Sequence, residues 1–246
     1  MKPNRFVEAL LAKLVVFLSI TKFCLNADAQ PLSSWNLVLS NTPVQIFGMA
    51  YGNGTFVGCG NGLWIVSHDG TNWAKYASPP FISSSGISYG NGQFMAYGQS
   101  SQGSANYILQ STNGINWTQI YTTSNTIAAA AYGNNEWVFI DGSEIVTANP
   151  TPSGWVWYGY QPAFNPVCIT YANGNFLMGV NWGSLSILSS PDGVNWLYQS
   201  SLPSTISDNS LIWSYNGNSS EIVYGNGVCV EALSKPGFVG DYFWFV

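Results

Sequence analysis

A phrase of apolar residues ending in Tyr-Gly-Asn-Gly recurs along this chain, and no other feature limits its fold so sharply. The copies are MAYGNG ending at Gly54, ISYGNG at Gly92, AAYGNN at Asn135, ITYANG at Gly174 and IVYGNG at Gly227. Their tyrosines, at 51, 89, 132, 171 and 224, are separated by 38, 43, 39 and 53 residues. A period near forty residues marks one supersecondary unit per repeat, as in propeller blades or solenoid coils. Asn-Gly supplies the positive φ angles of a two-residue hairpin, so each phrase reads as a strand, a tight turn and a second strand. The second strands are TFVGCG, QFMAYG, EWVFID, NFLMGV and VCVEAL; the third are LWIVS, YILQS, EIVTA, SILSS and YFWFV.

A second motif follows the third strand. It reads Ser-x-Asp-Gly-x-x-Trp and occurs as SHDGTNW (Ser67, Asp69, Gly70, Trp73), as STNGINW (Ser111, Asn113, Gly114, Trp117) and as SPDGVNW (Ser190, Asp192, Gly193, Trp196). A weaker copy runs from Thr151 to Trp157, with Ser153 in the Asp position. The Asp carboxylate can accept N–H groups of its own turn, the Gly can take the left-handed conformation, and the Trp can fill the gap between neighbouring sheets. These residues are therefore expected to be structural, with the Trp opening a fourth strand.

Four short antiparallel strands per repeat make a propeller blade. The expected fold is all-β, a five-bladed β-propeller with blades near 44–79, 84–123, 126–162, 165–202 and 219–246. The last blade lacks a fourth strand. WNLVLS, residues 35–40, supplies one, because Trp35 precedes Tyr51 by the same 16 residues that separate Trp73 from Tyr89. That pairing would leave no exposed edge at either end. A less favoured parse makes 211–217 the first strand of a self-contained last blade.

Residues 1–29 read as a secretory signal peptide: Lys2 and Arg5, an apolar stretch from Phe6 to Leu25, then Ala27-Asp28-Ala29 as a small-x-small cleavage site. Residues 30–246 are then one domain, secreted, periplasmic or extracellular. Beyond the leader stand two lysines, Lys75 and Lys235, no arginine, and nine carboxylates. Phosphate recognition needs clustered Lys and Arg, so neither nucleic acid nor an anionic membrane is an expected partner. Cys59, Cys168 and Cys229 sit in apolar strand patterns and read as buried thiols, and their odd number excludes a complete disulfide framework. His68 is the sole histidine and falls in a box turn. No metal site or cofactor is expected.

The three boxes, together with the YGNGTFVGCG-type strand pairs, resemble the Asp-box (BNR) repeat superfamily, which includes sialidases, other glycosidases and photosystem II assembly factors. The resemblance implies blade type across nearly all of the chain and says little of activity, since this fold hosts many functions. Sialidases hold the substrate carboxylate with an arginine triad, because a planar guanidinium pairs bidentately with it. No arginine lies beyond Arg5, so that activity is disfavoured and no catalytic residue is carried over. The assembly factors are associated with a basic patch, which two lysines cannot build.

Ligand contacts are expected on the irregular loops, where binding usually resides on rigid scaffolds. These are 100–106, 141–144, 181–184 and 234–241, with the interblade segments 78–85, 160–166 and 202–210. They carry Trp182, Tyr160, Phe164 and Phe81 beside Asn181, Asp141, Glu144, Asp208 and Glu221. Aromatic plates with amide and carboxylate acceptors suit neutral sugars, whose C–H faces stack and whose hydroxyls donate. The expectation is a non-catalytic module that binds carbohydrate or another neutral ligand. The alternatives are a glycosidase-like enzyme using two of the four acids, and a protein-interaction propeller, so an extracellular protein is the other expected partner.

Overall fold

A computed structural model describes residues 45–60, 62–79, 81–100, 103–181, 185–201, 205–208, 211–214, 218–225, 228–234 and 242–245. The leader and the segment 35–40 lie outside them. The chain divides into two compact units, Met1–Ser124 and Asn125–Val246.

The first unit holds two four-stranded antiparallel meanders. One is β1 (Ile46–Gly52), β2 (Thr55–Gly60), β3 (Leu63–Ser67) and β4 (Ala74–Ala77); the other is β5 (Phe81–Gly90), β6 (Gln93–Ser100), β7 (Asn106–Ser111) and β8 (Thr118–Thr123). The second unit repeats the pattern twice. Its first sheet is β9 (Ile127–Gly133), β10 (Glu136–Asp141), β11 (Glu144–Thr151) and β12 (Gly154–Tyr160), and its second is β13 (Asn165–Ala172), β14 (Asn175–Asn181), β15 (Leu185–Ser190) and β16 (Leu197–Ser201). A two-stranded hairpin, β17 (Thr205–Asp208) with β18 (Leu211–Ser214), follows. Then comes a sheet with three described strands, β19 (Asn218–Gly225), β20 (Val228–Ser234) and β21 (Tyr242–Phe245).

The hairpins follow from their sequence. Asn53 and Gly54 have φ of 49° and 69°, Asn91 and Gly92 49° and 72°, Asn134 and Asn135 47° and 65°, and Asn173 and Gly174 50° and 82°. Two consecutive positive φ values are what a two-residue hairpin needs to match the right-handed strand twist.

The sheets pack face to face through apolar layers. In the first unit the layer contains Val57, Trp64, Val66, Ile87, Phe94 and Leu109; in the second, Val138, Ile140, Ile145, Phe176, Met178 and Leu188. At Tyr51-Gly52 and Tyr132-Gly133 the glycine seats the tyrosine of the following sheet in the same unit. A Cβ on Gly52 would lie 2.2 Å from the Tyr89 ring, and one on Gly133 would lie 2.0 Å from Tyr171. Asn134 ties the same junction: its side-chain amide donates to the Gly174 and Pro191 carbonyls, and it accepts the Tyr171 hydroxyl.

Three segments depart from the sequence reading. The weak box at 151–157 is a two-residue hairpin, with Thr151 paired to Gly154 so that β11 and β12 run through it. Ser153 makes one short contact there, to the Thr151 hydroxyl. Expected as loop, 81–85 belongs to β5, which bulges between Phe81 and Ser83 and between Ser84 and Gly86. Likewise Thr205–Asp208 is a strand, and its partner is β18, so LIWS pairs with the preceding segment and not with β19.

Candidate functional site

The box turns are built alike. In the first, Asp69 Oδ1 accepts the backbone N–H groups of Thr71 (2.8 Å) and Asn72 (2.7 Å), and Oδ2 accepts the Asn72 side-chain amide (2.7 Å). Ser67 Oγ donates to Asp69 and accepts the Gly70 N–H at 2.9 Å. The Trp73 indole N–H closes the turn on the Gly70 carbonyl at 3.0 Å. Asp192 repeats this with the N–H groups of Val194 and Asn195, the Asn195 amide and the Ser190 hydroxyl, and Trp196 closes on Gly193. Each carboxylate is thus committed to its own turn. His68 stands exposed between Ser67 and Asp69, its Nδ1 3.1 Å from the Thr55 hydroxyl.

Such donors favour the charged carboxylate. Asp69 is held well below the usual range, first by the Asn72 N–H, then by the Asn72 amide and the Thr71 N–H. For Asp192 the largest influence, loss of water, pushes the pKa up, but the Asn195, Val194 and Ser190 donors together outweigh it. A folded pKa below the unfolded value of about 3.9 contributes stability that is complete above that value and is lost as pH falls through the folded one. The urea midpoint is therefore expected to hold above about pH 5 and to fall below about pH 4. A double variant, Asp69→Asn with Asp192→Asn, should lose less over the acid range; an unchanged slope would show that other groups drive it.

The second box shows what an amide does in this place. Asn113 Oδ1 accepts the N–H groups of Ile115 and Asn116, both at 2.9 Å, and the Ser111 hydroxyl; Gly114 N–H reaches Ser111 Oγ, and Trp117 closes on the Gly114 carbonyl. An amide offers no second oxygen. The side chain of Asn116 accordingly makes no hydrogen bond among the described residues, whereas Asn72 and Asn195 donate theirs at 2.7 Å. Asn113→Asp restores that acceptor and is expected to stabilise the fold by about 1 kcal/mol. Thermal unfolding checks it, and no rise in midpoint would mean that Asn116 does not turn back onto the new carboxylate.

Four of the candidate ligand residues, Tyr160, Phe164, Asp141 and Glu144, have described side-chain settings, all in the second unit. Tyr160 is half-buried between the two full sheets of the second unit: its hydroxyl accepts the Trp196 indole N–H at 2.6 Å and donates to the Gly193 carbonyl at 3.0 Å. Burial pushes its pKa up to about 12, against the pull of the Trp196 N–H and with the push of Asp192. Phe164 packs against the apolar layer of the same unit. Asp141 is only 1% exposed, at the end of β10, where it pairs with Glu144 across the turn of Gly142 and Ser143. Glu144 is half-exposed, with Oε2 3.7 Å from where a Cβ on Gly159 would stand. Asn181 ends β14, Phe81 begins β5, Asp208 ends β17 and Glu221 lies in β19. Trp182 falls outside the described residues, as does the loop 235–241. Cys59 and Cys168 are buried, and burial raises the Cys59 thiol to about 12, so it is inert core. Among the described residues, no group of three or more His, Cys, Asp or Glu could hold a metal ion.

The sequence reading missed the large side chains that stay exposed beside these sheets. They are Tyr158 on β12, Val194 in the third box turn, and Leu197 and Tyr198 on β16. Their signal was legible only in part: a fourth strand with an apolar residue on both faces, such as LYQSS, has more apolar surface than a core of one side can bury.

No protein-family model matches the chain, and no curated protein does. Solved structures do. A YCF48 bound to a D1 peptide is 16% identical, covering 81% of this chain and 64% of that one, with a TM-score of 0.51. Virginiamycin B lyase from Staphylococcus aureus is 18% identical over 79% of this chain and 65% of that one, at 0.53. A chain of the Mitotic Checkpoint Complex is 12% identical over 85% and 64%, at 0.56. The chain therefore spans just under two thirds of the length of each. At these identities the likeness is one of architecture, and with the meandering four-stranded sheets it makes the chain a repeat protein of β-propeller fold.

Proposed function

We propose that this chain is a non-catalytic Asp-box propeller, exported by its leader, that binds a polypeptide. The observation that carries the reading is where the side chains go. The box carboxylates are committed to their own turns, and Tyr160, Phe164 and Asp141 are built into the sheets. The large side chains left exposed in the second unit are uncharged and stand on or beside outer strands. Propellers serve as binding scaffolds, and the fold neighbours include one bound to a peptide and one in a multiprotein complex. The repeat count supports five blades, with 35–40 as the fourth strand of the β19–β21 sheet; a crystal structure with another number of sheets overturns this.

A neutral glycan is the second reading, held by Trp182 and Asn181 with Glu144 and Glu221 as acceptors. It is favoured by the aromatic-and-amide composition of the 181–184 loop. Presenting the intact chain to a glycan array and to a displayed random-peptide library separates the two. Peptide binders without glycan binders support the first reading, and the converse result replaces it with the second. Mass spectrometry of the exported protein tests the leader: the expected mature N-terminus is Gln30.

A further inference from the structure

The second unit carries an exposed apolar seam between β12 and β16. Its floor is the contact of Tyr160 with Trp196 and Gly193, which brings the third box turn against the outer strand of the preceding sheet. Tyr158 stands two residues from Tyr160 on the same face of β12, opposite Thr147. Thr147 Cγ2 lies 3.5 Å from where a Cβ on Gly193 would stand, so Tyr158 and Val194 flank one point of the box turn. Tyr198 continues the line two residues beyond Trp196 on β16. Tyr158 is 63% exposed, Val194 48% and Tyr198 53%. Large apolar side chains aligned at one junction are more than the scattered single exposures of an ordinary surface.

The electrostatics select the occupant. Between Lys75 and Lys235 the chain has no Lys, Arg or His, while it has Glu136, Asp141, Glu144, Asp192, Asp208, Glu221 and Glu231. Asp192 sits in the box turn at the seam, while Glu144 lies beside Gly159 on the other face of β12 from Tyr158. A cationic side chain approaching here meets the Asp192 carboxylate, and β9 to β16 carry no Lys, Arg or His to oppose it, whereas an acidic ligand would be repelled.

We propose that this seam takes an extended polypeptide segment in which aromatic or aliphatic residues are accompanied by lysine or arginine. The inference rests on the polypeptide-binding reading and names its surface and partner chemistry. The partner's apolar side chains lie along Tyr158, Val194 and Tyr198, and its basic residues face Asp192. Leu197 alternates to the opposite face of β16 from Tyr198 and takes no part.

The test uses peptides selected on the intact chain from a displayed random library, resynthesised and measured by fluorescence anisotropy at low and high salt. Selected sequences are expected to be rich in Lys or Arg with aromatic or aliphatic neighbours, and to bind more weakly as salt rises. Tyr158→Ser and Tyr198→Ser should each weaken binding about tenfold, as truncation of a contact residue does, without lowering the thermal midpoint. Leu197→Ser should leave it unchanged. Selected peptides that are acidic, or that bind both tyrosine variants as tightly as the parent, overturn the seam and leave polypeptide binding elsewhere on the chain standing. A library that yields no binder overturns both.

Discussion

Replacing Gly114 with alanine is expected to cost about 2–5 kcal/mol of folding stability, while Gly54→Ala costs about 1–2. Both glycines have nearly the same backbone, with φ of 72° and 69°, a region where an L side chain costs about 1–2 kcal/mol. Their surroundings differ. Nothing lies within 4 Å of a Cβ on Gly54, but one on Gly114 would stand 2.3 Å from Val57 Cγ2, in the neighbouring sheet of the same unit. Val57 is fully buried and β-branched, so it has no room to turn away, and overpacking of this kind adds about 1–3 kcal/mol. The difference between the two variants in chemical denaturation isolates the packing of a box turn onto its neighbour. Equal losses would mean that the box glycine is needed only for its turn.

That comparison marks where the sequence stops being readable. Hairpins and box turns depend on chemistry within three or four residues: positive φ at Asn-Gly, and an acceptor that reaches N–H groups two and three positions ahead. What lies between sheets carried no such mark. The glycine of Tyr-Gly reads as part of a turn, yet at 52 and 133 it is the seat of a tyrosine about forty residues away. Tyr160 reads as a loop aromatic, and only the approach of Gly193 and Trp196 makes it an inter-sheet tie. The segment 151–157 kept the spacing of a box and lost its chemistry: a serine hydroxyl at 153 cannot span the donors that a carboxylate collects, so Trp155 to Trp157 stay in the ladder with β11. Asp141 was expected on an open loop with Glu144. Gly142, at φ of 64°, turns the chain so tightly that Asp141 remains within the strand pairing and is buried there.

The sheet that carries Tyr158 should depend most on Trp137. This fully buried indole lies 5.2 Å from the Tyr132 ring and 5.8 Å from Phe139, to which it is nearly parallel; Phe139 meets Trp157, and Trp157 meets Trp155, each at 5.7 Å. The rings form a ladder across β9 to β12, and Trp137→Ala removes its largest buried member at an expected cost of about 3–5 kcal/mol. Against a typical domain stability of about 5–15 kcal/mol, that loss brings the fold near its threshold. Trp137→Phe is expected to cost far less. The indole N–H has no hydrogen-bond partner among the described residues, and a buried donor left unmade costs about 1–3 kcal/mol, so removing it offsets part of the smaller cavity. If phenylalanine destabilised as much as alanine in urea unfolding, the N–H would have to be making an interaction of its own. Because successive residues of a strand face opposite sides, Trp157 anchors β12 from one face while Tyr158 is offered on the other. Peptide binding at the seam should thus weaken in Trp137→Ala and persist in Trp137→Phe, even though residue 137 touches neither Tyr158 nor the peptide.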